Sequence, residues 1–199
     1  MKRSLFALAL AAAIPFSAQA DDKLSYTYIE GNYNHVNQEL PSPLGTIDGD
    51  GDGFGVRGSF EFGESGFYGF GGYQQADVEF TLPGSRPELD ISQTELGLGY
   101  AHDLSDNLDL ISELAWNDFD IDDFGSEDGY RASVGLRGSF TENFEGLIKA
   151  NYNDGDNADG DFSGTLGAQY KFTQTWGVVG EATIGDDYEI YTVGLRASF

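Results

Sequence analysis

Tyr191, Val193, Leu195, Ala197 and Phe199 occupy alternate positions at the carboxyl end of the chain, with Thr192, Gly194, Arg196 and Ser198 between them. A period of two puts one set on each face of an extended strand, apolar on one side and polar on the other. The phrase recurs in segments ending at Phe62, Leu104, Phe140 and Phe172, each followed by a short polar turn. The closest internal copies are Val56-Arg57-Gly58-Ser59-Phe60 and Leu136-Arg137-Gly138-Ser139-Phe140. A unit that returns with every second strand is a hairpin, so the chain is a series of antiparallel hairpins.

Reading the alternation through the chain predicts ten strands, over Leu24–Val36, Phe54–Phe62, Phe67–Glu79, Leu89–Leu104, Leu108–Asp118, Tyr130–Phe140, Phe144–Asn153, Phe162–Phe172, Trp176–Gly185 and Ile190–Phe199. Eight strands is the alternative; it would turn two segments into loops, with the glycine-rich Phe67–Glu79 and Leu89–Leu104 the first candidates. The connections alternate. Gly63–Gly66, Ser105–Asn107, Thr141–Asn143 and Thr173–Thr175 fit tight turns, whereas Asn37–Gly53, Phe119–Gly129 and Asp154–Asp161 are longer and rich in Asp and Gly. Short turns at one end and long acidic loops at the other is the layout of an up-and-down transmembrane β-barrel, with turns periplasmic and loops extracellular.

Met1-Lys2-Arg3, an apolar run from Ser4 to Ile14, and Ala18-Gln19-Ala20 have the order of a secretory signal peptide cleaved after Ala20, leaving residues 21–199 as the barrel domain. The run is too short to span a membrane as a helix. Without a spanning helix, a membrane position requires a closed barrel in which every backbone group is paired. The chain carries 34 acidic against 10 basic residues, a net charge of −24, which excludes nucleic-acid binding. There is no cysteine, so no disulfide or thiolate metal site is available.

Alternation alone does not tell whether the apolar face looks outward to lipid or inward, as in a soluble exported binding module. The export signal, terminal Phe199 and aromatics at strand ends (Trp116, Tyr130, Tyr170, Phe172, Trp176, Tyr191) favour lipid outside. Tyr191, Val193, Leu195 and Phe199 then read as a signal for the barrel-assembly machinery, with periplasmic chaperones as partners during biogenesis. In this orientation Glu30, Arg57, Glu113, Arg137, Glu145, Lys149, Glu181 and Arg196 face inward and form a ladder. Its expected pairs are Glu113 with Arg137, Glu181 with Arg196, and Arg196 with Glu30 across the closure. Buried ions are costly unless paired, so the ladder is expected to fill and rigidify the lumen; a narrow charge-lined pore is the alternative.

Asp48-Gly49-Asp50-Gly51-Asp52-Gly53 matches the first half of a calcium loop, but position twelve is Ser59 where a bidentate Glu is needed. The loop of Asp154 and Asp156 lacks the closing Glu as well. Solvated turns explain both runs. We expect no cofactor beyond divalent cations held weakly by this acidic crown, which also includes Asp118, Asp120, Asp122, Asp123, Glu127, Asp128, Asp186, Asp187 and Glu189 and faces anionic lipopolysaccharide. Only His35 and His102 could serve as bases, and neither lies near an evident nucleophile; a dyad of Asp118 or Asp120 with His35 is the one conceivable catalytic pair, and no enzyme is expected.

These features resemble the small outer-membrane β-barrel domain family, which includes the OmpX-like and OmpA-transmembrane-like proteins. More narrowly, Leu24-Ser25-Tyr26-Thr27-Tyr28-Ile29-Glu30-Gly31-Asn32-Tyr33 is similar to the mature amino terminus of small outer-membrane proteins described as diffusible-signal-linked or quorum-related. The resemblance implies an outer-membrane location and transfers no site residues; the oligomeric state is left open, with a monomer expected. The expected role is non-enzymatic: envelope integrity, adhesion or surface interaction, with a small passive channel for solutes or a diffusible signal as the alternative.

Overall fold

The computed structural model describes residues 24–42, 45–82, 84–122, 125–155 and 158–199. The expected signal peptide, with Ala18 and Ala20, lies outside the described residues, as do Asp123 and Asp156. Ten strands follow one another: β1 (Tyr28–Ser42), β2 (Gly45–Glu61), β3 (Phe67–Phe80), β4 (Glu88–Ser105), β5 (Leu108–Ile121), β6 (Gly125–Thr141), β7 (Phe144–Gly155), β8 (Ala158–Lys171), β9 (Trp176–Ile184) and β10 (Tyr188–Ser198). Each pairs antiparallel with the next, and β1 with β10 closes the barrel in the register Tyr28↔Ser198 to Gln38↔Tyr188. Both segments that an eight-stranded barrel would have lost, β3 and β4, are full strands.

The alternation sorts by face as a membrane requires. Val56, Leu98, Val134, Ile148, Leu166, Val178 and Val193 point outward and are exposed, while Glu30, Asn32, Ser133, Asn151, Thr165, Gln169 and Arg196 point inward and are buried. A polar interior and an apolar exterior exclude the soluble module, whose core would be apolar. Aromatics bracket the outer band: Tyr33, Phe54, Trp116, Tyr130, Phe162 and Tyr191 at one level, Phe62, Phe67, Phe140, Tyr170, Phe172 and Trp176 at the other. From Phe54 to Phe62 is eight steps, roughly 26 Å along a strand, enough for the apolar band of an outer-membrane barrel once tilted.

The periplasmic turns are held by their own side chains. In Gly63-Glu64-Ser65-Gly66 both glycines adopt positive φ (66° and 76°), the region open to glycine, and Ser65 Oγ donates to Phe62 O at 2.8 Å. Thr141 and Thr173 close two further turns by accepting the amides of Phe144 (3.1 Å) and Trp176 (2.8 Å).

At the other end the strands run further than the alternation suggests. Asn37–Gly53, Phe119–Gly129 and Asp154–Asp161, expected as loops, are largely the outer ends of paired strands. The reason is tertiary: Asp and Gly have poor strand propensity, but here they continue ladders already nucleated within the barrel, as in the pairs Val36↔Gly51 and Phe119↔Glu127. The acidic crown is therefore a collar of strand ends.

Candidate functional site

The lumen has three levels. At mid-height, Glu30 is fully enclosed and accepts Arg196 Nε at 2.8 Å and Arg57 Nε at 2.7 Å. Arg57 then crosses from β2 to β9, where its two terminal nitrogens donate to both oxygens of Glu181 at 2.9 and 2.8 Å. Arg196 lies 3.7 Å from Glu181 and stacks over the Tyr28 ring at 4.0 Å. Beside this cluster Arg131 pairs with Glu95 at 2.7 Å, and Glu113 accepts Lys149 at 3.0 Å and Tyr68 Oη at 2.9 Å. Lower, Glu145 holds Arg137 at 2.6 Å together with Lys171. Six inward cations thus meet inward carboxylates, many in forked guanidinium geometry, the condition under which buried charge is tolerated.

Arg196 meets Glu30 across the closure as expected, since the two are register partners. Glu181 meets Arg196 only at 3.7 Å and is held chiefly by Arg57. Glu113 does not meet Arg137. In the β5–β6 register Glu113 faces Ser133 and Arg137 faces Asp109, so Glu113 turns to Lys149, with Arg131 at 3.6 Å, and Arg137 turns to Glu145. The stagger of the closed barrel, invisible to strand parity, decides these partners.

The periplasmic end is closed by the segment preceding β1. Expected as the start of a strand, Leu24–Thr27 instead crosses the barrel mouth. Leu24 and Tyr26 are buried with Tyr68, Ala101 and Ile111. The Tyr26 ring stacks on Tyr68 with centroids 4.7 Å apart, its hydroxyl donates to Asp109 at 2.9 Å, and Arg137 sits 4.7 Å above its other face. Backbone contacts fasten the segment: Tyr26 N donates to Glu61 at 3.3 Å, Arg137 donates to Ser25 O at 2.9 Å, and Ser25 Oγ donates to Phe199 O at 2.6 Å. Sequence held one signal of this plug: Leu24 and Tyr26 share the inward parity of Glu30, where an apolar side chain has no lipid to face.

A cavity of about 820 Å³ runs through the lumen past the ion pairs, from Tyr26 and Arg57 up to Phe80 and Glu127 near the outer rim. Part of its upper lining, Phe119, Ile121 and Glu127 among it, lies in segments expected as loops.

The strand character of β2 removes the calcium-loop geometry. Alternate residues of an extended strand sit nearly 7 Å apart, so Asp48, Asp50 and Asp52 line one outward face and do not converge. Their glycines face in, beneath the side chains of Val78 and Phe80. Asp154 is occupied by the hydroxyls of Tyr130 at 2.7 Å and Tyr152 at 3.2 Å, which hold its carboxyl below the ordinary range. A tighter carboxylate group forms where none was expected: Asp77, Glu88 and Asp90, exposed on β3 and β4, offer oxygens within 4.8 Å of one another. His35 does not approach Asp118 or Asp120, which lie on non-neighbouring β5. It bonds Asp52 at 2.9 Å and lies 3.5 Å from Asp50 on the outward face. The Asp52 contact raises the His35 pKa, while the Tyr33 hydroxyl and then His35 lower that of Asp52. His102 is exposed beside Tyr100 near the periplasmic turn. Tyr191, Val193 and Leu195 face lipid, and the Phe199 amide donates to Thr27 O at 2.9 Å.

Comparison with known proteins agrees with this geometry. The family described as "Outer membrane protein beta-barrel domain" matches residues 6–198. A putative uncharacterized protein, YaiT of Escherichia coli (strain K12), is 28% identical over 183 residues; the match takes in 75% of this chain, which spans 18% of that protein's length. Among solved structures, the translocator domain of the autotransporter NalP from Neisseria meningitidis superposes with a TM-score of 0.56 at 12% identity, covering 90% of each chain. The transport unit of the autotransporter AIDA-I from Escherichia coli gives 0.56 at 11% identity, covering 97% of this chain and 96% of that one. The NanC porin gives 0.52 at 10% identity, covering 87% of this chain and all of that one. Identities this low speak to fold alone. None of these relatives carries a quorum link in its description, and the narrower resemblance finds no support in them.

Proposed function

Because the chain belongs to the outer membrane protein β-barrel domain family, and is therefore an integral protein of the bacterial outer membrane, we propose that it is a non-conducting, non-enzymatic barrel that works by surface contact through its acidic outer collar. One observation carries this reading: Leu24–Thr27 fills the periplasmic mouth, with Tyr26 buried between Tyr68 and Arg137. Above it the Glu30–Arg57–Glu181 pairs bridge the lumen from β2 to β9. A solute would have to displace both, and stripping one partner from a buried ion pair costs about 3–5 kcal/mol. Adhesion or envelope integrity is then a matter of what the collar touches, and lipopolysaccharide bridged by divalent cations is the nearest anionic surface.

Passage of small solutes is the second reading, favoured by the cavity of about 820 Å³ that reaches down to Tyr26. Planar-bilayer recording separates the two. The protein as folded is expected to show no steady unitary steps, and Leu24→Gly and Tyr26→Gly combined with Arg57→Ala to introduce them. Regular steps from the unmodified protein would establish the channel instead.

A further inference from the structure

The outer half of the lumen is asymmetric. One wall is apolar: Val78 and Phe80 of β3, Ile91 of β4, and Phe119 and Ile121 of β5, on three neighbouring strands, all line the cavity. The facing wall is polar, with Asn151 and Asn153 of β7, Ser163 of β8 and Thr183 of β9. An aqueous vestibule gains nothing from an apolar wall. Part of the wall is firmly built: Val78 and Phe80 are buried over the inward glycines of β2. Part is open, since Phe119 keeps 39% of its surface accessible although it faces the lumen.

Charge selects among occupants. Glu127 and Asp161, of inward parity, border the cavity at the rim, whereas the cations that line it, such as Arg131 and Lys149, lie deeper and are paired with Glu95 and Glu113. An entering anion meets only carboxylates; an entering amine finds them as counter-ions. Polar groups remain to be engaged: Gln74 at mid-height and Gln38 nearer the rim line the cavity.

We propose that this vestibule is a binding site for a cationic amphiphile arriving from the external medium, its apolar body against Val78, Ile91 and Phe119 and its ammonium group among the rim carboxylates. The site holds such a molecule without passing it, because the ion pairs and the Leu24–Thr27 plug lie below.

The test uses the full barrel in nanodiscs and two naphthyl probes of equal length, one ending in a primary amine and one in a sulfonate, with empty nanodiscs as the partition reference. The amine probe is expected to bind saturably at one per barrel and at least tenfold more tightly than the sulfonate. Phe119→Asn, at an accessible position, should weaken the amine probe at least fivefold, and Glu127→Gln with Asp161→Asn should narrow the amine-to-sulfonate ratio. Retention of a heat-modifiable gel band shows that each variant is folded. No saturable binding above empty nanodiscs, equal binding of the two probes, or indifference to Phe119→Asn would each overturn the site. Because the readout is binding, the site fails or stands independently of whether the barrel conducts.

Discussion

Glu30 has no exposed side-chain surface, and two guanidinium groups converge on it from β2 and β10. Its removal would leave Arg57 and Arg196 to share Glu181 at a largely buried site. Glu30→Ala is expected to destabilise the refolded barrel by about 3–5 kcal/mol, the cost of stranding buried charge. The Glu79–Arg86 pair has a similar distance, 3.1 Å, but its side chains are 46% and 69% exposed, and Glu79→Ala is expected to cost no more than about 1 kcal/mol. Urea midpoints in lipid vesicles measure both; equal losses would mean that burial does not set the strength of these pairs. Residue parity made the Glu30–Arg196 contact legible because the two strands meet at the chain's aligned ends. It could not give Lys149 as the partner of Glu113, since that depends on how far each strand is staggered around a closed cylinder.

β2 shows what strand assignment from local preference misses. Its outer half is an alternation of Gly with acidic residues, which as isolated sequence reads as turn, yet it pairs with both β1 and β3 from Gly49 to Ser59. The glycines are a packing device: a Cβ on Gly49 would lie 2.7 Å from Phe80 Cε1 and 3.3 Å from Val78 Cγ1. Glycine buys the space in which β3 lays its large side chains flat. Gly49→Ala is therefore expected to destabilise by about 1–3 kcal/mol through overpacking. Combined with Phe80→Ala it should cost less than the sum of the two single changes by at least about 0.5 kcal/mol, a coupling read from a double-mutant cycle. Additive losses would show that Gly49 serves its backbone and not Phe80. By contrast the strand starts β3 at Phe67, β5 at Leu108, β7 at Phe144 and β9 at Trp176 were readable to the residue. Each follows a polar turn whose hydroxyl, amide or glycine chemistry is local. At the outer ends no such punctuation exists; the ladder ends where pairing ends.

Across the whole molecule, charge and apolar surface are segregated by height. The lipid-facing band is bounded outward by Tyr33, Trp116, Tyr130 and Tyr191, and immediately above it stand exposed carboxylates on successive strands: Asp52 on β2, Asp77 on β3, Asp90 on β4, Asp120 on β5 and Asp128 on β6. The tyrosines tie the two zones together, since the hydroxyl of Tyr33 is bonded to Asp52, that of Tyr130 to Asp154 and that of Tyr191 to Glu189. A collar of one sign set at the headgroup level repels an anionic leaflet unless cations intervene, and over the few ångströms of contact salt screens it little. The temperature at which the compact gel band converts to the unfolded one is therefore expected to fall on chelation of divalent cations in bilayers containing lipopolysaccharide. It should stay unchanged in phosphatidylcholine alone. Asp77→Asn with Asp90→Asn, which removes charge from the densest carboxylate group, should shrink the chelation effect. A shift of equal size in both bilayers would place the cations inside the protein and not between collar and lipid.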